Sequence, residues 1–381
     1  MTMMASLPAV ESRSTIAIRR FAASDIPDVA RLHARVWPNQ TPLHVYDEYF
    51  RRVFLEHPLR EDGLGALVSE DTQGRVTGFI GVVPRRVAIG HRSYRGAVSS
   101  NFIVNPGGEA AFVAIHLLRA FHSGPQDVSI ADEATDSARA LWEALGGSTL
   151  HLLSMYWTRM LRPARYAASF LCARPRWSVL ARVATPAAYA TDALLASAPG
   201  TPFHQRPPST AVEPLTASMV VARYAEFCPP AAVRVQHDPR SFDWLLERTA
   251  QVSVDREPLA GVVTRGGRVR GWYIAAIDHD GHCDVVQLTA ARNAARDVID
   301  QLFHHAWRRG ALAVTGRIDP RFTQALSDTC CLFHRRGPWM LLKTDRPEIQ
   351  RAFDSGQACF ARIDGEWALR LSVPRPGGGV S

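Results

Sequence analysis

Asp132 and Glu133 stand together at the end of a short apolar run, residues 127–131, just ahead of a helical pattern over 136–145. Adjacent carboxylates in that place admit two uses. Partly desolvated, a carboxylate takes a pKa raised toward neutrality and can accept a proton from an ammonium, directly or through water. Ahead of a helix, the same charge favours the positive helix end. Gly107 and Gly108 also precede a helical pattern, and a glycine turn there can cradle an anion on backbone N–H groups or be an ordinary loop. Arg292 opens a third helical pattern, as a phosphate contact or as a solvated side chain. Ser99 and Ser100 are substrate contacts at best.

Other chemistry finds little support. The six cysteines (Cys172, Cys228, Cys283, Cys330, Cys331 and Cys359) make no CxxC pair, so buried free thiols are expected rather than disulfides or zinc. His304-His305 falls mid-helix with its rings on different faces, and His279, Asp280 and His282 fall in a turn. No HExxH, GxSxG, P-loop or Rossmann pattern is present.

The elements that would position these residues follow from periodicity. Residues 16–21 read as a strand. Ser24 caps a helix that presents Ile26, Val29, Leu32 and Val36 on one face, and a second helix covers 43–55. Strand-like runs at 65–69, 76–83 and 93–104 are divided by Asp71-Thr72-Gln73-Gly74 and Gly90-His91. Residues 110–121 are apolar nearly all round, which predicts a buried helix. A strand at 127–131, a helix at 136–145 and a last strand over 149–160 complete this half. The second half repeats the order. Asp238 caps a helix, strands 259–264 and 269–277 flank Arg265-Gly266-Gly267-Arg268, and a strand at 283–289 precedes the helix 292–309. Strands 312–316 and 339–344 then enclose a short helix, 321–327.

Domains at 1–163 and 209–372 are therefore expected, with a disordered tail at 373–381. Between them, 164–208 is rich in Ala, Pro and Arg and reads as a linker with short helices around 177–183 and 187–196. A segment that lies on a membrane or closes over substrate is the sharper alternative.

At 381 residues and 46% hydrophobic composition the chain suits two or three globular domains. No uninterrupted apolar stretch reaches membrane-spanning length, and the N-terminus shows no secretory signal, so a cytoplasmic location is expected. The net charge of +8 invites a nucleic-acid reading. The arginines are scattered, Lys343 is the one lysine and no RNP-like aromatic pattern occurs, so no nucleic-acid partner is expected.

Three segments carry a resemblance: Ile18-Arg19-Arg20-Phe21 followed by Ser24-Asp25-Ile26-Pro27, Phe102-Ile103-Val104-Asn105-Pro106 ahead of a helix, and Ala138-Arg139-Ala140-Leu141-Trp142-Glu143-Ala144-Leu145-Gly146-Gly147. Through them residues 14–163 resemble the GNAT superfamily of N-acetyltransferases, and the chain resembles a tandem of two such domains with degenerate motifs. The implied fold is α/β, two domains that are each a mixed, mostly antiparallel sheet flanked by helices. The resemblance implies acetyl-CoA as donor, no metal, and a primary amine attacking the thioester directly within a ternary complex.

In that family two neighbouring parallel strands splay apart and receive the pantetheine arm as a surrogate strand. This implies Asn101, Phe102, Ile103 and Val104 for the arm, and Gly107, Gly108 and Ala114 for the pyrophosphate. It implies Arg292 for phosphate in the second half, and Glu133 or Asp132 as base. The sequence also departs from the family. Its phosphate cradle falls on Glu109-Ala110-Ala111-Phe112-Val113-Ala114, of which only Ala114 fits; the catalytic Tyr becomes Trp142 and an Asn becomes Thr135. A catalytically inactive GNAT-like ligand- or protein-binding module is the alternative to an enzyme.

Overall fold

The computed structural model describes residues 16–38, 41–172, 178–253 and 255–371. The first half runs β1 (Ala17–Arg20), α1 (Ile26–Val36), α2 (Leu43–Phe50), β2 (Leu67–Glu70), β3 (Val76–Ile89), β4 (Arg92–Val104), α3 (Ala110–His122), β5 (Val128–Ala134), α4 (Asp136–Ala144), β6 (Ser148–Thr149) and β7 (Tyr156–Met160). Two helices follow, α5 (Pro163–Cys172) and α6 (Ser178–Ser197). The second half begins with β8 (Ala211–Glu213), α7 (Ala217–Tyr224), β9 (Val233–Gln236) and α8 (Pro239–Val252). It continues with β10 (Glu257–Arg265), β11 (Arg268–Ile277), β12 (His282–Ala290), α9 (Ala295–Arg308), β13 (Ala313–Arg317) and α10 (Thr323–Asp328). It ends with β14 (Leu332–His334), β15 (Trp339–Thr344), α11 (Pro347–Asp354) and β16 (Ala358–Cys359).

Turn chemistry explains the hairpins. Gly90 sits at φ +57° between β3 and β4, and Gly266 and Gly267 sit at +57° and +73° between β10 and β11. Tight two-residue hairpins demand such left-handed positions, which glycine adopts without steric penalty. β3 is buried on both faces because helices cover both. On one face α1 and α2 pack Ile26, Val29, Tyr46 and Phe50 against Phe79 and Val83. On the other, α3 and α4 pack Val113, Leu117 and Trp142 against Ile80 and Val82.

The described strands form two sheets with matching order. One reads β1-β2-β3-β4-β5-β15-β6, with β9 added beside β3 and β16 beside β9; the other reads β8-β10-β11-β12-β13-β7-β14. The halves therefore exchange a strand. β15, near the chain end, lies antiparallel to β5 and β6 of the first half. β7, from the first half, lies antiparallel to β13 and β14 of the second.

Several expectations need correction. The last strand expected over 149–160 is two strands in two sheets, parted by a 3-10 turn at Leu152–Ser154. The helix expected to be buried all round, α3, buries Val113, Leu117, Leu118 and Phe121, while Phe112 is 41% exposed. Its alanines are apolar in composition but too small to need covering. α6 is one continuous helix with Pro186 inside it, not two short pieces; Trp177 lies outside the described residues, as does the tail beyond 371. Ser24 is not a cap: Asp25 holds the first turn by accepting from the Ala22 N–H at 2.8 Å. Cys330 is exposed, at φ +58° in the turn after α10. Among the described residues no helix is long and apolar enough to cross a membrane.

The segment after β16 runs between the halves. Ile363, Trp367, Ala368 and Leu369 are fully buried. Arg85 Nε donates to the Asp364 carbonyl at 2.8 Å, and Tyr49 Oη donates to the Leu369 carbonyl at 2.6 Å.

Candidate active site

β4 and β5 run parallel for three register pairs only, ending at Val98–Ile130. Beyond that level β4 stays paired with β3 as far as Val104, and β5 stays paired with β15 as far as Ala134. The strands are thus held from outside while they part, and a gap opens between residues 99–104 and 131–134. A bulge lies at its mouth. Ser100 pairs with Gly81 and Ile103 with Phe79, so Asn101 and Phe102 face Ile80 alone, with Asn101 at φ +50°. A bulge bends the strand and re-aims its backbone groups.

The gap adjoins a pocket of about 450 Å³ lined by His33 and Trp37 from α1 and its C-cap, Ser100 and Asn101 from β4, Glu133 from β5, and Glu366 and Arg370 from the terminal segment. Glu366 was not singled out by sequence. Its carboxylate accepts from the N–H groups of Asp132 at 3.1 Å and Glu133 at 3.3 Å, on β5. Burial, then repulsion from the Asp132 and Glu133 carboxylates, pushes the Glu366 carboxyl well above the usual range. His33 is pulled down to about 4 by burial and so is neutral at physiological pH; its Nδ1 lies 3.3 Å from Tyr46 Oη.

Successive strand residues point to opposite faces, so Asp132 and Glu133 part company. Glu133 reaches the pocket, where Arg362 Nη2 lies 3.2 Å from Oε1 and Arg370 engages Oε2. Asp132 is 1% exposed. It pairs with Arg317 of β13 at 2.8 Å and accepts the Glu366 N–H at 2.6 Å. Burial raises the Asp132 carboxyl against the pull of Arg317.

Of the other predicted residues, Asn101 lines the pocket, Ile103 is buried in the core under α1, and Phe102 and Val104 pack toward α3. Gly107 and Gly108 form an exposed turn before α3, where an added Cβ would meet nothing within 4 Å. Ala114 is half-buried on α3. Arg292 stands apart, exposed on the turn between β12 and α9. Trp142 is 2% exposed and packs beside Phe121 and His122. Thr135 caps α4, accepting the Ala138 N–H at 3.3 Å.

The second half has the same gap, but it is filled. β12 and β13 pair in parallel as far as Val285–Gly316, and β12 bulges at Val286. The terminal segment and its neighbours leave a cavity of about 40 Å³ there, lined by Gln287, Arg321, Phe322, Phe360 and Arg362 among others. That volume suits ordered water, not an organic ligand. Among the described residues no group of three or more His, Cys, Asp or Glu could hold a metal.

No protein-family model matches the sequence, and no curated protein matches it. Solved structures do. The chain is similar to a "Probable N-Acyltransferase" from Enterococcus faecalis V583, with 12% identity, a TM-score of 0.57, and coverage of 89% of this chain and 74% of that one. It is similar to a GCN5-related N-acetyltransferase from Anabaena variabilis ATCC 29413, with 11% identity, a TM-score of 0.57, and coverage of 87% and 74%. At such identity the likeness concerns the backbone. The chain therefore shares the α/β fold of these two structures, and its two sheets repeat one strand order.

Proposed function

We propose that this protein is an acyl-CoA-dependent N-acyltransferase whose first half transfers an acetyl group to a primary amine. The observation that carries the reading is the β4–β5 gap opening onto a pocket with two carboxylates. In this reading the free edge of β4, Asn101 to Val104, holds the pantetheine arm of the donor. The Gly107–Gly108 turn and the start of α3 receive the pyrophosphate, because the space above both glycines is open. Glu109, the exposed N-cap of α3, must swing away for this. Ala114 is the small residue one turn further on.

Glu133 and Glu366 line the side of the pocket that receives the acceptor amine. Glu366 takes its proton, directly or through water, since a carboxyl with a raised pKa is the better base near neutrality. The amine nitrogen then bonds to the thioester carbonyl carbon, the C–S bond breaks, and the departing thiolate takes, through solvent, the second proton that the nitrogen sheds as it becomes an amide. Trp142 cannot supply that proton. Asp132, tied to Arg317, positions β5 rather than touching substrate. Arg292 has no part in this reading, because the gap beside it is filled.

A second reading, an inactive ligand- or protein-binding module, is favoured by Trp142 and by the carboxylate at the α3 entrance. Calorimetry with acetyl-CoA and a thiol-release assay over a panel of amines separate the two. Donor binding abolished by Gly108→Glu, together with amine-dependent thiol release, supports the enzyme. Absence of thiol release with every amine overturns it.

A further inference from the structure

A larger cavity, about 800 Å³, lies in the second half, away from the β4–β5 gap. Its wall is built by β7, α9, the turn after α10, and the connection from α6 to β8. That connection is a fixed cover: the Gln205 N–H donates to the Ala196 carbonyl at 3.0 Å, and Thr201 Oγ1 donates to the Leu195 carbonyl at 2.9 Å.

Arg159 decides what such a cavity can take. It is 8% exposed, and its guanidinium donates to the carbonyls of Pro202 and Cys330. Among the described residues no carboxylate forms an ion pair with it. Carbonyl dipoles satisfy its hydrogen bonds, and Asp300 attracts it only from beyond ion-pair distance, so the buried positive charge lacks a paired carboxylate, which is costly. Arg296 and Arg206 add positive charge to the same wall. His304 presents an Nδ1 that is buried without a hydrogen-bond partner. The wall also carries Asp300, which is held by Arg296 at 2.8 Å, and Asp328, which accepts from Gln324 at 2.7 Å. Leu161 and Phe303 supply apolar surface. The volume falls in the range of sites that enclose small organic ligands.

We propose that this cavity binds a small organic anion, an apolar body bearing one carboxylate or phosphate group, with the anionic end on the Arg159–Arg296 side. The inference does not depend on the acyltransferase reading. Calorimetric titration of the full chain with phenylacetate, phenyl phosphate and the cationic control phenethylamine tests it, and the tighter of the two anions identifies the group. Arg296→Gln, an exposed change that leaves the fold intact, is expected to weaken anion binding about tenfold, the loss of one charge-assisted contact. Asp300→Asn is expected to tighten it, the opposite of what a cation site would show. Excess acetyl-CoA is expected to leave the titration unchanged. Binding of neither anion, equal binding of phenethylamine, indifference to Arg296→Gln, or displacement by acetyl-CoA overturns the proposal.

Discussion

Replacing Glu366 by Gln isolates proton transfer from architecture. The glutamine carbonyl oxygen can still accept from the Asp132 and Glu133 N–H groups, which stand at 3.1 and 3.3 Å from the native carboxylate. What is lost is a charge in a place that resists charge. Because the folded-state pKa lies above the unfolded value, Glu366 adds stability only at low pH, and that contribution disappears as pH rises through the raised value. At neutral pH the variant should therefore melt no lower than the parent. General-base catalysis is worth roughly 10²- to 10⁴-fold, or about 3–5 kcal/mol of barrier. The whole effect should fall on kcat, with the acetyl-CoA affinity unchanged. The pH profile provides a second check: the parent should lose activity as pH falls through the raised carboxyl pKa, and Glu366→Gln should lack that limb. Thiol release measured from pH 5 to 9 reads both. Turnover within about threefold of the parent, or an unaltered acid limb, would refute the role of Glu366.

Other outcomes follow from the same contacts. Arg317→Met strands the buried Asp132 carboxylate and should cost about 3–5 kcal/mol in urea unfolding, partly recovered by adding Asp132→Asn. Phe79, fully buried between Phe21, Phe50 and Phe54, should cost about 3–5 kcal/mol as Ala. Burial lowers His33 to about 4 and His57 to about 3, so both stay neutral while their unfolded counterparts protonate. Stability should then fall as pH drops below 6.5, by about 1.4 kcal/mol per unit for each ring down to the folded value, and His57→Leu should flatten that slope. A fragment ending at residue 163 lacks β15 along β5 and leaves β7 without its sheet; it is expected to aggregate, and a folded monomer would contradict the exchange.

The order of elements was legible because turns and caps are local. Glycines at φ > 0 mark the hairpins, and Asp238 caps its helix through its own side chain. What was hidden is set by distance. β7 and β15 look like any short apolar strand, and nothing in their alternation says which edge will receive them. Pro186 reads as a break, yet α6 passes through it. Glu133 could be singled out from its neighbourhood, whereas Glu366 becomes relevant only because the fold returns the chain to β5 more than two hundred residues later. No motif joins them.

That return ties the two halves to one task. The stretch from Cys359 to Arg362 fills the gap in the second sheet, and four residues on, Glu366 stands in the gap of the first. Gly365 makes the passage feasible: a Cβ there would overlap the Asp132 carboxylate, so backbone alone can pass. Arg362 and Arg370 then flank Glu133, while Arg317 secures Asp132 from the opposite sheet. Closing one gap and equipping the other are thus consequences of a single chain path. The halves are alike in strand order and unlike in chemistry because that path crosses each of them once.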